Sequence, residues 1–442
     1  MVLSHLLSPS LRHQSQLAAA RRQAPTPSPE ALAALQLQRI QHAWADATAD
    51  VPYYESLVAT GGAPAQIRGW RDVAAIPPLT RQAIQGAPEA FLRRSRKPAS
   101  MMMTAGSTGT PLRLGMDAAE RDLMRIVKLA EWQRLGYHAG GHLFLIWGHS
   151  HLLGTGWRRR YLHLRRKLAD AFLGYLRVDA YRLNRLDCDA HAQRLLRFKP
   201  IGIIGYASVL DLFARYTTAY RDRFRALGIR FVLSTAEAPP RPDTVALIED
   251  HFGCPLVEEY GGAEFGQVAF RCGANAFEVY GDLNYVECEE PGGAGADAAG
   301  EAALVTSLYD RYLPLIRYRV GDLLGQPERL AHGHVRAFAE VAGRINDVIY
   351  LADGEAIHSV AVFHCIHQEP SVKTIQMVLR DRAIEICMVS STSDRPALEA
   401  RVRRRLAQVH PALAQARFIY AEDVQTNRAG KRRWFVDLRT PR

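Results

Sequence analysis

Thr104-Ala-Gly-Ser-Thr-Gly-Thr-Pro111 is the stretch from which the rest of this chain is read. All eight residues are small, hydroxylic or turn-forming, and a helix is predicted soon after, over Met116 to Leu135. Such a loop can turn several backbone N–H groups and hydroxyls toward one point, which is what gripping a polyphosphate demands. It is not a Walker loop, because no Gly-Lys-Ser/Thr closes it. Gly/Ser/Thr clusters are often plain surface linkers, so the decision rests on the motifs farther along the chain.

Three more stretches come in order. Val257-Glu-Glu-Tyr-Gly-Gly-Ala-Glu-Phe-Gly266 continues the apolar Pro255-Leu-Val257, read as a short strand. Tyr260 offers an aromatic face, Gly261 and Gly262 let the backbone approach a ligand, and Glu264 supplies the hard oxygen that Mg²⁺ prefers alongside phosphate. Ile316-Arg-Tyr-Arg-Val-Gly-Asp-Leu323 places Asp322 just after a predicted strand, where a carboxylate can accept from ribose hydroxyls. Gly343-Arg-Ile-Asn-Asp-Val-Ile349 comes next, with Asn427-Arg-Ala-Gly-Lys-Arg-Arg433 near the C-terminus. Taken singly, Asp322 reads equally as a turn residue, Arg344 as a surface cation and Lys431 as part of a solvated basic tail.

Together these motifs resemble the adenylate-forming superfamily of acyl-CoA synthetases, peptide-synthetase adenylation domains and beetle luciferases. The resemblance runs over almost the whole chain. It is strongest toward the short, phenylacetate-CoA-ligase-like branch, which includes capsule-biosynthesis and deazaflavin-adenylylating relatives. Leu35-Gln-Leu-Gln-Arg-Ile-Gln-His-Ala-Trp44, leading into Val51-Pro-Tyr-Tyr54, and Ala75-Ile-Pro-Pro-Leu-Thr80 favour that branch. So does the modest length of the chain.

The resemblance implies an α/β fold. A large N-terminal adenylate-forming body with mixed β-sheets and flanking helices (residues 1–345) carries a small α+β C-terminal lid (346–442), hinged at Asn346, where many relatives have Asp or Lys. The implied activity is ATP-dependent adenylation of a small or aromatic carboxylic acid to acyl-AMP and pyrophosphate, then transfer to a thiol of CoA or an acyl carrier protein. An amine acceptor, retention of AMP on the product, and a catalytically weak ATP-binding scaffold remain alternatives. By the same resemblance Thr104, Ser107, Thr108, Gly109 and Thr110 grip the β- and γ-phosphates, and Glu264 ligates Mg²⁺. Lys431, delivered by the lid, neutralises charge on the α-phosphoryl group. Tyr260, with Gly261 beside it, stacks on adenine; Thr235, Ala236 and Glu237 line the purine; Asp322 and Arg344 hold the ribose. Trp147, His149, Tyr206, Ala207 and Ser208 are the acid-pocket candidates, by position.

Two departures stand out. Relatives usually carry Thr or Ser at Ala263, whose hydroxyl bonds the α-phosphate; its loss removes a donor worth about 1 kcal/mol. Some members of the branch bind a structural zinc just after this motif. Here Cys272 and Cys288 have no Cys-x-x-Cys or close His beside them, so zinc is not expected. His149-Ser-His151 has ligand spacing but no third partner nearby, and reads better as pocket lining or polar loop.

The bulk properties agree with this reading. The chain has 442 residues and a formal net charge of +11, enough length for two or three domains. No apolar run is long enough to span a bilayer, the N-terminus lacks a signal-peptide pattern, and residues 1–29, rich in Gln, Ser, Ala and Pro, read as poorly ordered. Six dispersed cysteines read as reduced thiols in a cytoplasmic protein. Arg158-Arg-Arg160 and Arg165-Arg-Lys167 recur at helical spacing beside Trp157 and Tyr161. With no nucleic-acid motif present, they read as a solvated helix face or a dock for an anionic partner, not as a nucleic-acid or membrane site. A homodimer is compatible with the sequence.

The predicted elements alternate. Strands over Gly141–Trp147, Ile201–Gly205 and Gly228–Thr235 interleave with helices over His191–Phe198, Ser208–Tyr220 and Pro242–Phe252, arguing for a sheet with parallel strands. After Gly343 the pattern restarts as a small unit that ends on a strand over Arg417–Tyr420.

Overall fold

The structure, a computed structural model, describes residues 8–103, 113–138, 140–147, 156–178, 185–235, 238–262, 264–289, 300–344, 348–350, 356–358, 362, 365–366, 369, 371–380, 383–422, 424 and 435–438. Residues expected to be poorly ordered form helix α1 (Pro9–Gln23) instead. Ser8 caps it by accepting from the Leu11 amide, and Pro9 sits where an N–H would have no partner anyway. Ala18 is fully buried against the helix Ala118–Arg134, Gln133 Nε2 donates to Ser15 Oγ at 3.1 Å, and Arg21 pairs with Asp282 at 2.5 Å. Docking thus overrides a polar composition. Helix α2 (Pro29–Asp50) starts at a Ser28 cap and buries Ile40, Trp44 and Ala47. Helix α3 (Arg81–Gly86) starts at Thr80, whose hydroxyl accepts from the Ala83 amide.

Strands β1 (Ser100–Met103) and β2 (Arg113–Met116) pair antiparallel on either side of the phosphate-type loop. Helix α4 (Ala118–Arg134) is next. The main sheet begins with β3 (Leu143–Ile146), then α5 (Gly156–Leu173), β4 (Tyr175–Val178), α6 (Arg185–Phe198), β5 (Gly202–Gly205), α7 (Ala207–Tyr216), β6 (Phe231–Thr235), α8 (Thr244–Phe252) and β7 (Leu256–Gly262). These five strands are parallel, in the order β7-β6-β5-β3-β4. Leu143 and Leu145 join one core, with Ala18 and Trp132; Phe144 and Ile146 join the other, with Phe213 and Phe252. A parallel strand covered on both faces needs such a continuous apolar run.

Strands β8 (Gly266–Cys272) and β9 (Phe277–Val279) continue the sheet antiparallel. Strands β10 (Asn284–Glu289), β11 (Glu301–Ser307) and β12 (Tyr318–Gly325) start a second, antiparallel sheet. Then β13 (Glu328–Arg329) and β14 (Val335–Phe338) return to the edge of the first, and β15 (Glu340–Arg344) closes the second beside β12. Beyond lie the pair β16 (Val348–Tyr350) and β17 (Ala356–His358), and a four-stranded sheet. That sheet is built from β18 (Val372–Arg380), β19 (Ala383–Ser390), β20 (Arg417–Tyr420) and β21 (Phe435–Asp437), with helix α9 (Arg395–Val409) packed on it around Ile375, Met388, Leu398 and Val402. The expected last strand is succeeded by β21, parallel to β18. Arg241 Nη2 donates to the Val372 carbonyl at 3.2 Å, tying this unit to the body.

Candidate active site

The predicted pocket residues gather at the carboxyl ends of adjacent parallel strands. Trp147 follows β3, Tyr206 and Ala207 follow β5, Thr235 ends β6, and Tyr260 to Gly262 end β7. Open α/β sheets bind ligands there because loops at those ends diverge around a crevice. Trp147 and Tyr206 stack, with ring centroids 4.5 Å apart and planes 26° off parallel. Tyr206 and Ala207 are buried. Ser208 lies in α7, with its side chain outside the described residues.

Strand β7 is longer than its sequence suggested: Tyr260, Gly261 and Gly262 are strand residues paired with β8. The ladder shifts register between Tyr260 and Gly261. A Cβ on Gly261 would sit 2.3 Å from the Gly266 carbonyl oxygen, so only glycine lets the two strands close this tightly. The turn beyond Gly262 carries Glu264.

Glu264 is pinned twice. Arg81 Nη1, from the first residue of α3, lies 2.7 Å from Glu264 Oε1. The Glu264 carbonyl accepts from Arg311 Nη2 at 2.6 Å. Arg311 itself is nearly fully buried; it pairs with Glu120 at 2.7 Å and donates to Ser307 Oγ at 3.0 Å, while its own carbonyl accepts from Arg93 Nε at 2.9 Å. Burial pushes the Glu120 carboxyl up, and Arg311 opposes that shift. Burial, with the Glu264 charge behind it, likewise raises the Tyr318 hydroxyl, which stays protonated. Arg81, Arg311 and Glu120 had no sequence signal as site residues. Their partners are far along the chain: 183 positions separate Arg81 from Glu264, and 47 separate Arg311 from it.

The carboxylate fits the expected Mg²⁺ role. A Cβ on Gly262 would stand 2.7 Å from the Phe265 ring and 3.3 Å from Glu264 Oε2, so only glycine lets the ring and the carboxylate lie this close to the strand end. A hard carboxylate oxygen is the kind of donor Mg²⁺ takes. Among the described residues, no group of three or more His, Cys, Asp or Glu could hold a metal.

Asp322 lies inside β12, not after it, and its Cα partner across the ladder is that of Arg344 in β15. The two expected ribose ligands thus stand opposite each other, which directly paired strands achieve for side chains on one face. The Arg344 side chain lies outside the described residues. Tyr260 Oη donates to Asp322 Oδ2 at 3.1 Å, linking the two sheets. Its ring differs from the expected open face. It is only 7% exposed, enclosed by Phe265, Phe277 and Phe338, the last at 5.5 Å edge-on. In this arrangement the residue serves Asp322 through its hydroxyl. Thr104, Ser107, Thr108, Gly109, Thr110, His149, Ala236, Glu237, Ala263, Asn346 and Lys431 lie outside the described residues.

No family model matches the chain. The protein CapK of Staphylococcus aureus is 21% identical over 273 residues, a match covering 60% of this chain and 59% of CapK; the chain thus matches about three-fifths of that relative. A 2-hydroxyisobutyryl-CoA ligase, solved in its postadenylation state with an acyl-AMP, superposes with a TM-score of 0.70 at 16% identity, over 95% of this chain and 91% of that one. The same ligase in its thioesterification state, with CoA, gives 0.56 at 18% identity, over 95% and 92%. Acetoacetyl-CoA synthetase from Streptomyces lividans gives 0.50 at 15% identity, over 75% of this chain and 53% of that one. The chain has the fold of the adenylate-forming ligases.

Proposed function

We propose that this protein activates a small or aromatic carboxylic acid as its acyl-adenylate, releasing pyrophosphate, and passes the acyl group to a thiol of CoA or a carrier protein. The observation that carries this reading is that Trp147 and Tyr206 stack beyond the carboxyl ends of β3 and β5, while β7 of the same parallel set ends on Tyr260 to Gly262, with Tyr260 holding Asp322 of the second sheet and the following turn carrying Glu264. The phenylacetate-CoA-ligase-like branch is the best-supported subtype, from the N-terminal motifs and the CapK likeness.

The acid carboxylate attacks the α-phosphorus of ATP, and pyrophosphate leaves. Asp322 accepts from the ribose hydroxyls, held in place by Tyr260, and Arg344 lies across from it. Trp147 and Tyr206 wall the acid. Thr104, Ser107, Thr108, Gly109 and Thr110 hold the departing phosphates, and Lys431 meets charge that grows only in the transition state. Glu264 is the Mg²⁺ ligand; the metal, when bound, neutralises phosphate charge. Arg81 positions the Glu264 carboxylate. Residues 346–442 act as a lid turning at Asn346, supported by the separate core of β18, β19 and α9. The higher similarity to a postadenylation structure than to a thioesterification one supports the adenylation-side setting of that lid. A cytoplasmic setting supplies ATP and CoA, and among the described residues no helix is long and apolar enough to cross a membrane.

The test is product analysis of ATP and Mg²⁺ with a panel of aryl and alkyl carboxylates, with and without CoA. Acid-dependent AMP and pyrophosphate, with acyl-CoA when CoA is present, is the expected result. ADP as product, or turnover indifferent to every acid, overturns the reading.

A further inference from the structure

Helix α5 has a face that the described residues leave uncovered. Trp157, Tyr161, Leu164 and Leu168 are 80%, 58%, 57% and 64% exposed. Their spacing of four, three and four residues puts them on one stripe of a 3.6-residue helix. The other exposed large apolar side chains among the described residues (Leu17, Met101 and Leu438) are scattered singly along the chain, which is ordinary for a protein surface. Four together on one helix are not.

The stripe is bordered by cations. On the helical wheel Arg160 and Lys167 flank one side and Arg165 the other, and all three are exposed. From Trp157 to Ala169 the helix contains no Asp or Glu. The first carboxylate, Asp170, is already used: it pairs with Arg177 of β4 at 3.0 Å and fastens the C-terminal end of the helix to the sheet. Phe172 and Leu173 are half-buried at that same end. The helix is therefore anchored at its C-terminal end, while its N-terminal turns project the stripe outward.

We infer that α5 docks on an anionic phospholipid surface, its axis in the membrane plane. An amphipathic helix with Trp, Tyr and Leu on one side and Lys or Arg along the border inserts its apolar face about 5–10 Å into the headgroup boundary. Tyr and Trp suit that depth because each has an apolar ring and one polar group. The cations at the rim meet lipid phosphates. A second copy of the chain fits less well, because facing two such stripes would bring Arg160, Arg165 and Lys167 of each copy against like charges. An acidic protein would satisfy the rim but would need a groove to cover a convex row of four large side chains. This revises the sequence expectation of a solvated face with no membrane partner, and it stands apart from the adenylation chemistry.

The test is co-sedimentation of the full-length protein with phosphatidylcholine vesicles, with and without phosphatidylglycerol. The wild type binds the vesicles containing phosphatidylglycerol, and binding weakens as salt rises. Leu164→Ser/Leu168→Ser and Arg160→Glu/Arg165→Glu/Lys167→Glu each weaken it about tenfold or more, with melting temperatures unchanged. Brominated phosphatidylglycerol quenches part of the wild-type tryptophan emission, and Trp157→Phe removes the quenched part; this second measurement holds even if a multiple variant misfolds. No binding to phosphatidylglycerol vesicles, equal binding to pure phosphatidylcholine, or undiminished binding by both folded variants overturns the proposal. So does a wild-type dimer that Leu164→Ser/Leu168→Ser converts to monomer while vesicles stay unbound, which would assign the stripe to a second copy.

Discussion

The tip of the β7–β8 hairpin and the free face of α5 treat charge in opposite ways. At the tip Glu264 is held by Arg81 through its side chain and by Arg311 through its carbonyl, and Arg311 is locked by Glu120 and Ser307. On α5 three cations stand exposed around a bare apolar stripe. The first arrangement is satisfied inside the fold, where Glu264 and Glu120 each already face an arginine. The second has no partner among the described residues and, as proposed above, is completed by an outside surface. Breaking the two regions should therefore give different kinds of effect.

The largest effect is expected at the buried end of the pinned network. Arg311→Met leaves Glu120 buried without its cation, so the carboxyl either stays charged and unpaired or takes up a proton. Breaking a buried pair in this way costs about 3–5 kcal/mol, to be read by urea denaturation. Glu120→Gln in the same chain should restore part of that loss. If Arg311→Met is as stable as the wild type, the network does not hold the tip.

Next come opposite shifts in metal demand. If Glu264 is the Mg²⁺ ligand, as proposed, Glu264→Gln should raise the Mg²⁺ concentration for half-maximal adenylation. Arg81→Gln should lower it, because the carboxylate no longer has to leave a cation 2.7 Å away. Shifts in the same direction would separate Arg81 from the metal site.

Tyr260→Phe removes one hydrogen bond to Asp322, so a rise in the ATP KM of roughly three- to tenfold is expected. No change would mean that Asp322 keeps its position without that donor.

A smaller effect belongs to the C-terminal unit. Glu369 pairs with Arg401 and Arg405, and the Arg401 hydrogen bond comes first in holding its carboxyl below the ordinary value of 4.5. A lowered folded-state pKa means the stabilisation is complete above the unfolded value and is lost as pH falls through the folded one. Wild-type stability should therefore decline below about pH 4.5 more steeply than that of Glu369→Gln, as melting temperature against pH would reveal.

The smallest change in stability is expected on α5. Leu164→Ser/Leu168→Ser should shift unfolding by no more than about 0.5 kcal/mol per residue, as exposed sites do. A larger loss would mean the stripe is packed, and would erase the contrast with the tip.

Strands β3, β5 and β6 and helices α6, α7 and α8 were legible because each is local, whereas β4 gave no such signal. The apolar run Leu143 to Ile146 states its own structure. Strand β7 ran past its expected end because Gly261 and Gly262 suit both a turn and a tight strand pair. Only the facing Gly266 decides between them. Helix α1 was missed for a related reason: its stability comes from α4 and Asp282, not from its own composition. The site divides the same way. Glu264 and Asp322 stand in recognisable motifs, whereas Arg81 and Arg311 act through partners that only the fold brings near. The ring of Tyr260 was expected to lie open, and the closure around it comes from Phe277 and Phe338, on two other strands.

The most direct measurement is carboxylate-dependent exchange of labelled pyrophosphate into ATP, in the wild type and in Lys431→Ala. It needs no acceptor and reports reversible acyl-adenylate formation alone. Exchange that appears with an acid, vanishes with Lys431→Ala and leaves ATP binding intact is the expected result. Exchange independent of any acid, or undiminished in Lys431→Ala, would contradict the proposed chemistry.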